Sequence, residues 1–358
     1  MNGYVAMAIA AGLALGITAL LGYALIPWLH KLKFGQIILD IGPSWHKHKQ
    51  GTPTMGGLMF IAGTLLSVAA VYATDLLLGG SLLGLGGTGL ALGRGGFNTK
   101  LFAGLGMAAL FGLMGFLDDY TKVVKKRNKG LSITQKSVAQ ILISVGYLMS
   151  LWLSMGKAPY TLIPFVGKVS FIPQGQPTGV GLLFWVFGFA VIYATTNAVN
   201  FTDGVDGLCA GVTVTAAAGL IAFAVLRSAF GAGVVSAALL GGCVGFLVWN
   251  HNPAKVIMGD TGSMFLGGLL VAVAFALDCP VILLLMGIIY VIEGLSDVIQ
   301  IGYFRMTGGK RVFKMAPIHH HFEMSGWKEK KIGVVFSLVN LLGVIAGIFV
   351  ILFGFKGF

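Results

Sequence analysis

The chain has 358 residues, of which 56% are hydrophobic and only 10% charged, and its mean hydropathy is +0.90. Soluble domains carry about 25% charged residues, so this balance excludes a water-soluble globular protein. The long unbroken apolar runs point to helices, since the strands of a membrane barrel would alternate. A formal net charge of +12 would suggest nucleic acid on a soluble protein. Here the basic residues lie between apolar runs, where membrane topology accounts for them, and no nucleic-acid partner is expected.

Ten runs approach the length of about 20 residues needed to cross a bilayer as a helix. They lie near 4–28, 55–78, 99–117, 136–155, 179–198, 208–228, 232–249, 262–277, 280–302 and 332–354. The first lacks a basic leading segment and is too long for a signal peptide, so it reads as a retained span. The expected architecture is an all-α integral membrane protein, with residues 1–358 forming a single polytopic domain of about ten transmembrane helices. An even number of spans puts both termini on one side. With both termini outside, the inward loops hold 18 of the 24 basic residues, as the positive-inside rule favours.

The same topology gathers ten of the twelve acidic residues at the inner face and leaves only Asp75 and Asp278 outside. Acidic residues contribute little to topology, so this bias calls for a functional cause. Among the outward segments, residues 79–96 hold nine glycines in eighteen positions and read as a loop. Residues 158–173, with Gly167-Lys168 between two apolar runs, read as a small hairpin. Cys209, Cys243 and Cys279 have no ligand spacing and are expected to be reduced packing residues.

The inward loops carry the chemistry. Gly51-Thr52-Pro53-Thr54 and Gly56-Gly57 lead into the second span. Free backbone N–H groups at such a helix start can hold phosphate, with Lys49 adding charge. Asp118-Asp119 closes the third run, where adjacent carboxylates oppose the helix dipole and require a cation. Asn197, Asn200, Asp203 and Asp206 are spaced by three, so a helix would align them on one face. Asp260, flanked by Gly259 and Gly262, enters the eighth span. Glu293, Asp297 and Gln300 share a face of the ninth, where ionisable residues are functional candidates. His319, His320 and His321 could ligate metal, move protons or contact phosphate; being consecutive, they cannot all serve one site.

The strings GTPTMGG, LDDYTKV, NFTDGVDGL, MGDTGS and APIHHHFE resemble the polyprenyl-phosphate N-acetylhexosamine-1-phosphate transferase superfamily. GTPTMGG and APIHHHFE resemble its bacterial phospho-N-acetylmuramoyl-pentapeptide transferase family. The resemblance runs from about residue 40 to the C-terminus. It implies a ten-helix membrane fold with an inward-facing cleft, usually as a homodimer, in the bacterial cytoplasmic membrane. It also implies transfer of phospho-MurNAc-pentapeptide from UDP-MurNAc-pentapeptide to undecaprenyl phosphate, with Mg2+, giving lipid I and UMP.

By the same resemblance, Asp118 orients or deprotonates the lipid phosphate, with Asp119 sharing that role. Asp260 is the leading Mg2+ ligand, and Asp118 and Asp119 complete the metal set. Asp203 and Asp206 shape the nucleotide pocket beside Asn197 and Asn200. His319, His320 and His321 line the cleft, with His319 the leading catalytic member. Lys49, Thr54, Lys136 and Asn250 contact uridine or phosphates, and Gln300 joins the substrate contacts. One departure stands out: Ile257 occupies the position two before Gly259-Asp260 where the family usually has an aromatic residue able to stack on uracil. A sister transferase using UDP-GlcNAc is the nearest rival, and the histidine triplet argues against it. A cation-coupled transporter would place its acids near the bilayer midplane and repeat its halves, and neither pattern is visible.

Overall fold

In hydrocarbon every backbone N–H and C=O must be satisfied within its own segment, so each long apolar run folds as a helix. The computed structural model describes residues 1–32, 51–80, 82, 99–124, 130–172 and 181–355. Its helices are α1 (Gly3–Lys31), α2 (Gly57–Leu77), α3 (Thr99–Val124), α4 (Ile133–Ser154), α5 (Leu182–Thr202), α6 (Leu208–Leu226), α7 (Phe230–Asn250), α8 (Gly259–Ala276), α9 (Leu283–Met286), α10 (Ile288–Met306), α11 (Ile318–Glu323) and α12 (Glu329–Gly354). Among the described residues nine helices are long and apolar enough to cross a membrane, and a bent pair raises this to ten. The protein is an all-α integral membrane protein.

The expected hairpin forms from β1 (Tyr160–Ile163) and β2 (Gly167–Ser170), paired antiparallel with Tyr160 opposite Ser170. It lies at the end of the bundle away from Asp118. There Asp278 pairs with Lys100 and accepts a bond of 3.0 Å from the Tyr160 hydroxyl. Asp75 pairs with the Met1 ammonium at 2.6 Å. The two acids separated from the others by the topology argument are thus fastened at the opposite end.

Helix α8 is the axis of the fold. Every residue from Thr261 to Phe275 is buried, as expected of a helix ringed by others. Helices α2, α3 and α5 all pack against it. Phe60 of α2 sits edge-on to Phe246 of α7 at 5.2 Å and tilted against Phe265 of α8 at 6.3 Å. The outer helices instead turn large apolar side chains outward, among them Leu20, Leu142, Leu183 and Leu342. These are the surfaces that lipid covers.

Two expectations about the spans need correction. The run at 280–302 is not one helix. A 3-10 turn (Pro280–Ile282) with α9 meets α10 at a bend of 88°. The break at Gly287 is held by Asn340 of α12, which is fully buried. Its Oδ1 accepts from Ile289 N at 3.2 Å, and its Nδ2 donates to Met286 O at 3.0 Å and to Thr215 Oγ1 at 2.8 Å. A neighbouring side chain thus supplies the hydrogen bonds that the interrupted helix lacks. Second, α3 does not end at 117. It continues to Val124, so Asp118 and Asp119 stand within a helix, with Lys122 one turn further on.

Candidate active site

Close approach of α3 to α8 creates the site. Gly115 makes the approach possible: a Cβ there would collide with the backbone of Asp260. Small residues at such contacts let helix backbones meet in a membrane. Asp118 and Asp119 lie one turn beyond Gly115, and Asp260 lies in the first turn of α8. One carboxylate oxygen from each of the three lies within 4.8 Å of the others. Asp118 and Asp119 are buried, at 1% and 2% exposure.

Two lysines cover this cluster. Lys122 Nζ lies 2.6 Å from Asp118 Oδ2, 3.3 Å from Asp260 Oδ2 and 3.6 Å from Asp119 Oδ1. Lys136, in the first turn of α4, lies 2.8 Å from Asp260 Oδ2 and 3.1 Å from Asp118 Oδ1. A capping box at Ser132 and Gln135 fixes the start of α4 and so the place of Lys136. With all five groups ionised, the carboxylates exceed the ammoniums by one charge.

The remaining contacts fix each carboxylate. Asp118 Oδ1 accepts from Leu131 N at 2.7 Å. Asp119 Oδ2 accepts from both Thr261 N and Thr261 Oγ1, at 2.9 and 2.8 Å. Asp260 Oδ1 accepts from Asn200 Nδ2 at 3.0 Å, and Asn200 also donates to Ser263 Oγ at 2.8 Å. Asp260 is therefore not a helix cap, as the N-cap position is Met258 and makes no side-chain bond.

The glycine-rich segment before α2 is laced to the segment before α8. Gly56 N donates to Ile257 O, Gly57 N to Met258 O, and Ile257 N to Pro53 O, at 2.9, 3.0 and 2.8 Å. This ladder seats Thr54 beside the cluster. Gly259, at φ +74°, packs between Thr54 Oγ1 and Asp119 Oδ2, and a Cβ there would press on both. Ile257 is half-buried and spends its backbone on this ladder. Lys49 lies outside the described residues.

The polar face expected for 197–206 is only partly helical. Helix α5 ends at Thr202, and Asn197 and Asn200 stay on its surface. Asn197 Nδ2 bonds Gln140 Oε1 of α4 at 2.9 Å. Asp203 caps the helix and Asp206 falls in the turn to α6, because Gly204 and Gly207 interrupt the helix. The Asp206 carboxylate accepts from Asn252 Nδ2 at 3.1 Å and Ala254 N at 3.0 Å. Asn250 joins the same two loops: its Oδ1 accepts from Gly207 N at 3.0 Å and its Nδ2 donates to Val256 O at 2.9 Å. Asn250 thus links the two loops. Gln300 ties α10 to the segment that follows it. Its Oε1 accepts from Val312 N and Phe313 N, and its Nε2 donates to Phe313 O, each at 3.0 Å.

The three histidines take different partners, although the rings of His319 and His320 lie 4.1 Å apart. His319 is fully buried and its Nδ1 lies 3.0 Å from Glu293 Oε2. His320 Nδ1 meets Glu323 Oε2 at 2.6 Å. His321 Nδ1 accepts from Lys314 N at 3.1 Å on the exposed side. Two partners were missing from the expected site. Lys122 has no role in the expected site, although its spacing of four from Asp118 places it on the same helical face. Glu293 is a functional candidate of its span with no partner named, because that partner lies 26 residues away.

The three carboxylates are hard oxygen donors, the set that Mg2+ prefers. Asp118 Oδ2 makes no well-directed hydrogen bond among the described residues, although Lys122 lies close as an ion pair. It can serve as a ligand once Lys122 gives way. The donor set fits the metal.

The membrane helices and this cluster of acids and lysines define the class, a polytopic membrane protein with a buried acidic site able to hold a divalent cation. A family model described as glycosyl transferase family 4 matches residues 101–278. Signature 1 of phospho-N-acetylmuramoyl-pentapeptide-transferase matches residues 49–61. The phospho-N-acetylmuramoyl-pentapeptide-transferase of Acetivibrio thermocellus is 42% identical over 94% of this chain and 93% of its own. That of Desulforudis audaxviator is 41% identical over 98% of both chains. A Listeria monocytogenes relative of the same name is 42% identical over 92% of this chain and 93% of its own. The chain belongs to the phospho-N-acetylmuramoyl-pentapeptide-transferase family.

Proposed function

We propose that the protein transfers phospho-MurNAc-pentapeptide from UDP-MurNAc-pentapeptide to undecaprenyl phosphate, releasing UMP and forming lipid I for peptidoglycan synthesis. The observation that carries this reading is the cluster of Asp118, Asp119 and Asp260 under Lys122 and Lys136, in a chain of this family. An oxygen of the lipid phosphate attacks the sugar-bearing phosphorus of the donor. The bond from that phosphorus to the bridging oxygen breaks, and its electron pair leaves with UMP.

Two anions must meet in this step, so their repulsion is the barrier the protein has to lower. Asp118 orients the lipid phosphate and takes any proton it carries, with Asp119 beside it. Lys122 and Lys136 screen the phosphates once substrate displaces them from the carboxylates. Asp260, held by Asn200, is the leading ligand for Mg2+, with Asp118 and Asp119 completing the set. When bound, the ion supplies Lewis-acid stabilisation of the pyrophosphate charge. Thr54, Lys49, Asn197, Asp203 and Asp206 surround the nucleotide, and His319 and His320 line the sugar side of the cleft, with His321 at its edge.

The same reading places both termini outside, with the site facing the cytoplasm of a bacterial inner membrane. The basic inward loops support that orientation. The homodimer implied by the resemblance belongs to the proposal as well. The test is UMP release by purified protein given undecaprenyl phosphate, Mg2+ and one of two donors. UMP from UDP-MurNAc-pentapeptide but not from UDP-GlcNAc is expected. Turnover of UDP-GlcNAc alone would transfer the chain to the sister activity.

A further inference from the structure

Outside the carboxylate–lysine cluster, a fully buried polar contact joins Glu293 of α10 to His319 of α11. Both are 0% exposed, and Nδ1 of the histidine lies 3.0 Å from Oε2 of the glutamate. Each keeps one buried atom in reserve. Glu293 Oε1 and His319 Nε2 make no hydrogen bond among the described residues. Buried polar atoms without partners are costly and call for a reason. The direction of Nε2 supplies one. A Cβ on Gly204 would collide with it, so this edge of the ring faces the turn joining α5 to α6. That turn follows Asn200, which holds Asp260.

We propose that Glu293 is a positioning residue for His319. Its Oε2 accepts the Nδ1 proton, which fixes the tautomer and the ring orientation. Nε2 is then left as an unspent acceptor buried against the 203–207 turn. A carboxylate acting on one ring nitrogen sets the chemistry of the other. This assignment rests on the reaction proposed above, but the pairing itself can be tested without it.

The experiment has two arms. The first is the 15N spectrum of histidine-labelled protein in lipid nanodiscs, with the His319 signals identified by their loss in His319→Ala. Wild-type protein should show a protonated Nδ1 at His319, and in Glu293→Leu the ring should divide between tautomers. A bare Nδ1 in the wild type overturns the pairing, and this arm stands even if Glu293→Leu does not fold. The second arm is UMP release. Glu293→Leu should lower kcat by more than about tenfold and leave the donor KM unchanged. Glu293→Leu combined with His319→Ala should turn over no more slowly than His319→Ala alone, because the first residue acts through the second. A wild-type kcat in Glu293→Leu, or losses that multiply in the double variant, overturns the positioning role. If the wild type releases no UMP at all, the reaction falls and the nitrogen spectrum alone decides the pairing.

Discussion

At the scale of single residues, the site is a balance of five charges in a confined space. Asp118 and Asp119 are buried and depend on Lys122, Lys136 and the backbone of Leu131 and Thr261. Asp118→Asn and Asp260→Asn should each abolish turnover while the protein still elutes as a folded species. Near-normal rates in either would remove the site assignment. Metal binding can be followed separately, with Mn2+ in place of Mg2+ and electron paramagnetic resonance as the readout. The wild type should bind Mn2+ saturably, and Asp260→Asn should bind it weakly or not at all. Removing Mg2+ with a chelator should stop UMP release, and adding it back should restore release. Lys136→Ala leaves Asp118 and Asp260 facing each other with one cation fewer, so it should slow turnover. Its expected effect grows as salt is lowered, since partly exposed ion pairs are screened by salt.

At the scale of elements, helix contacts decide whether those residues meet. Gly115→Leu should push α3 from α8 and part Asp118 from Asp260, so that a folded variant loses activity without losing any charged group. The bend at Gly287 depends on Asn340. Asn340→Leu leaves Ile289 N and Met286 O unpaired in a buried place, at a cost of about 1–3 kcal/mol, readable as a lower melting temperature in detergent. These contacts also explain what the sequence could reveal. Asp118, Asp119 and Asp260 stood out locally, as acids at the ends of apolar runs. The extension of α3 did not, because its last turns carry Asp118, Asp119 and Lys122, and their polarity hides them from an apolar-run reading. The bend was hidden too, since its stabilising side chain lies 51 residues beyond Ile289.

At the scale of the whole molecule, one end of the bundle holds the acid–lysine cluster and the other holds the hairpin with Asp278 and Lys100. The proposed orientation assigns the first end to the cytoplasm. Cys209, Cys243 and Cys279 are buried, so single cysteines at exposed positions can report sidedness above a low background. Lys330→Cys should react with a membrane-impermeant maleimide only in inside-out vesicles, and Lys168→Cys only in right-side-out vesicles. The reverse pattern would invert the topology. The central claim is that sugar-phosphate transfer takes place at the carboxylates of α3 and α8. Its most direct test is UMP release from UDP-MurNAc-pentapeptide, with undecaprenyl phosphate and Mg2+, by the wild type and by folded Asp118→Asn and Asp260→Asn. The account predicts release by the wild type alone. Release at comparable rates by either variant would contradict it.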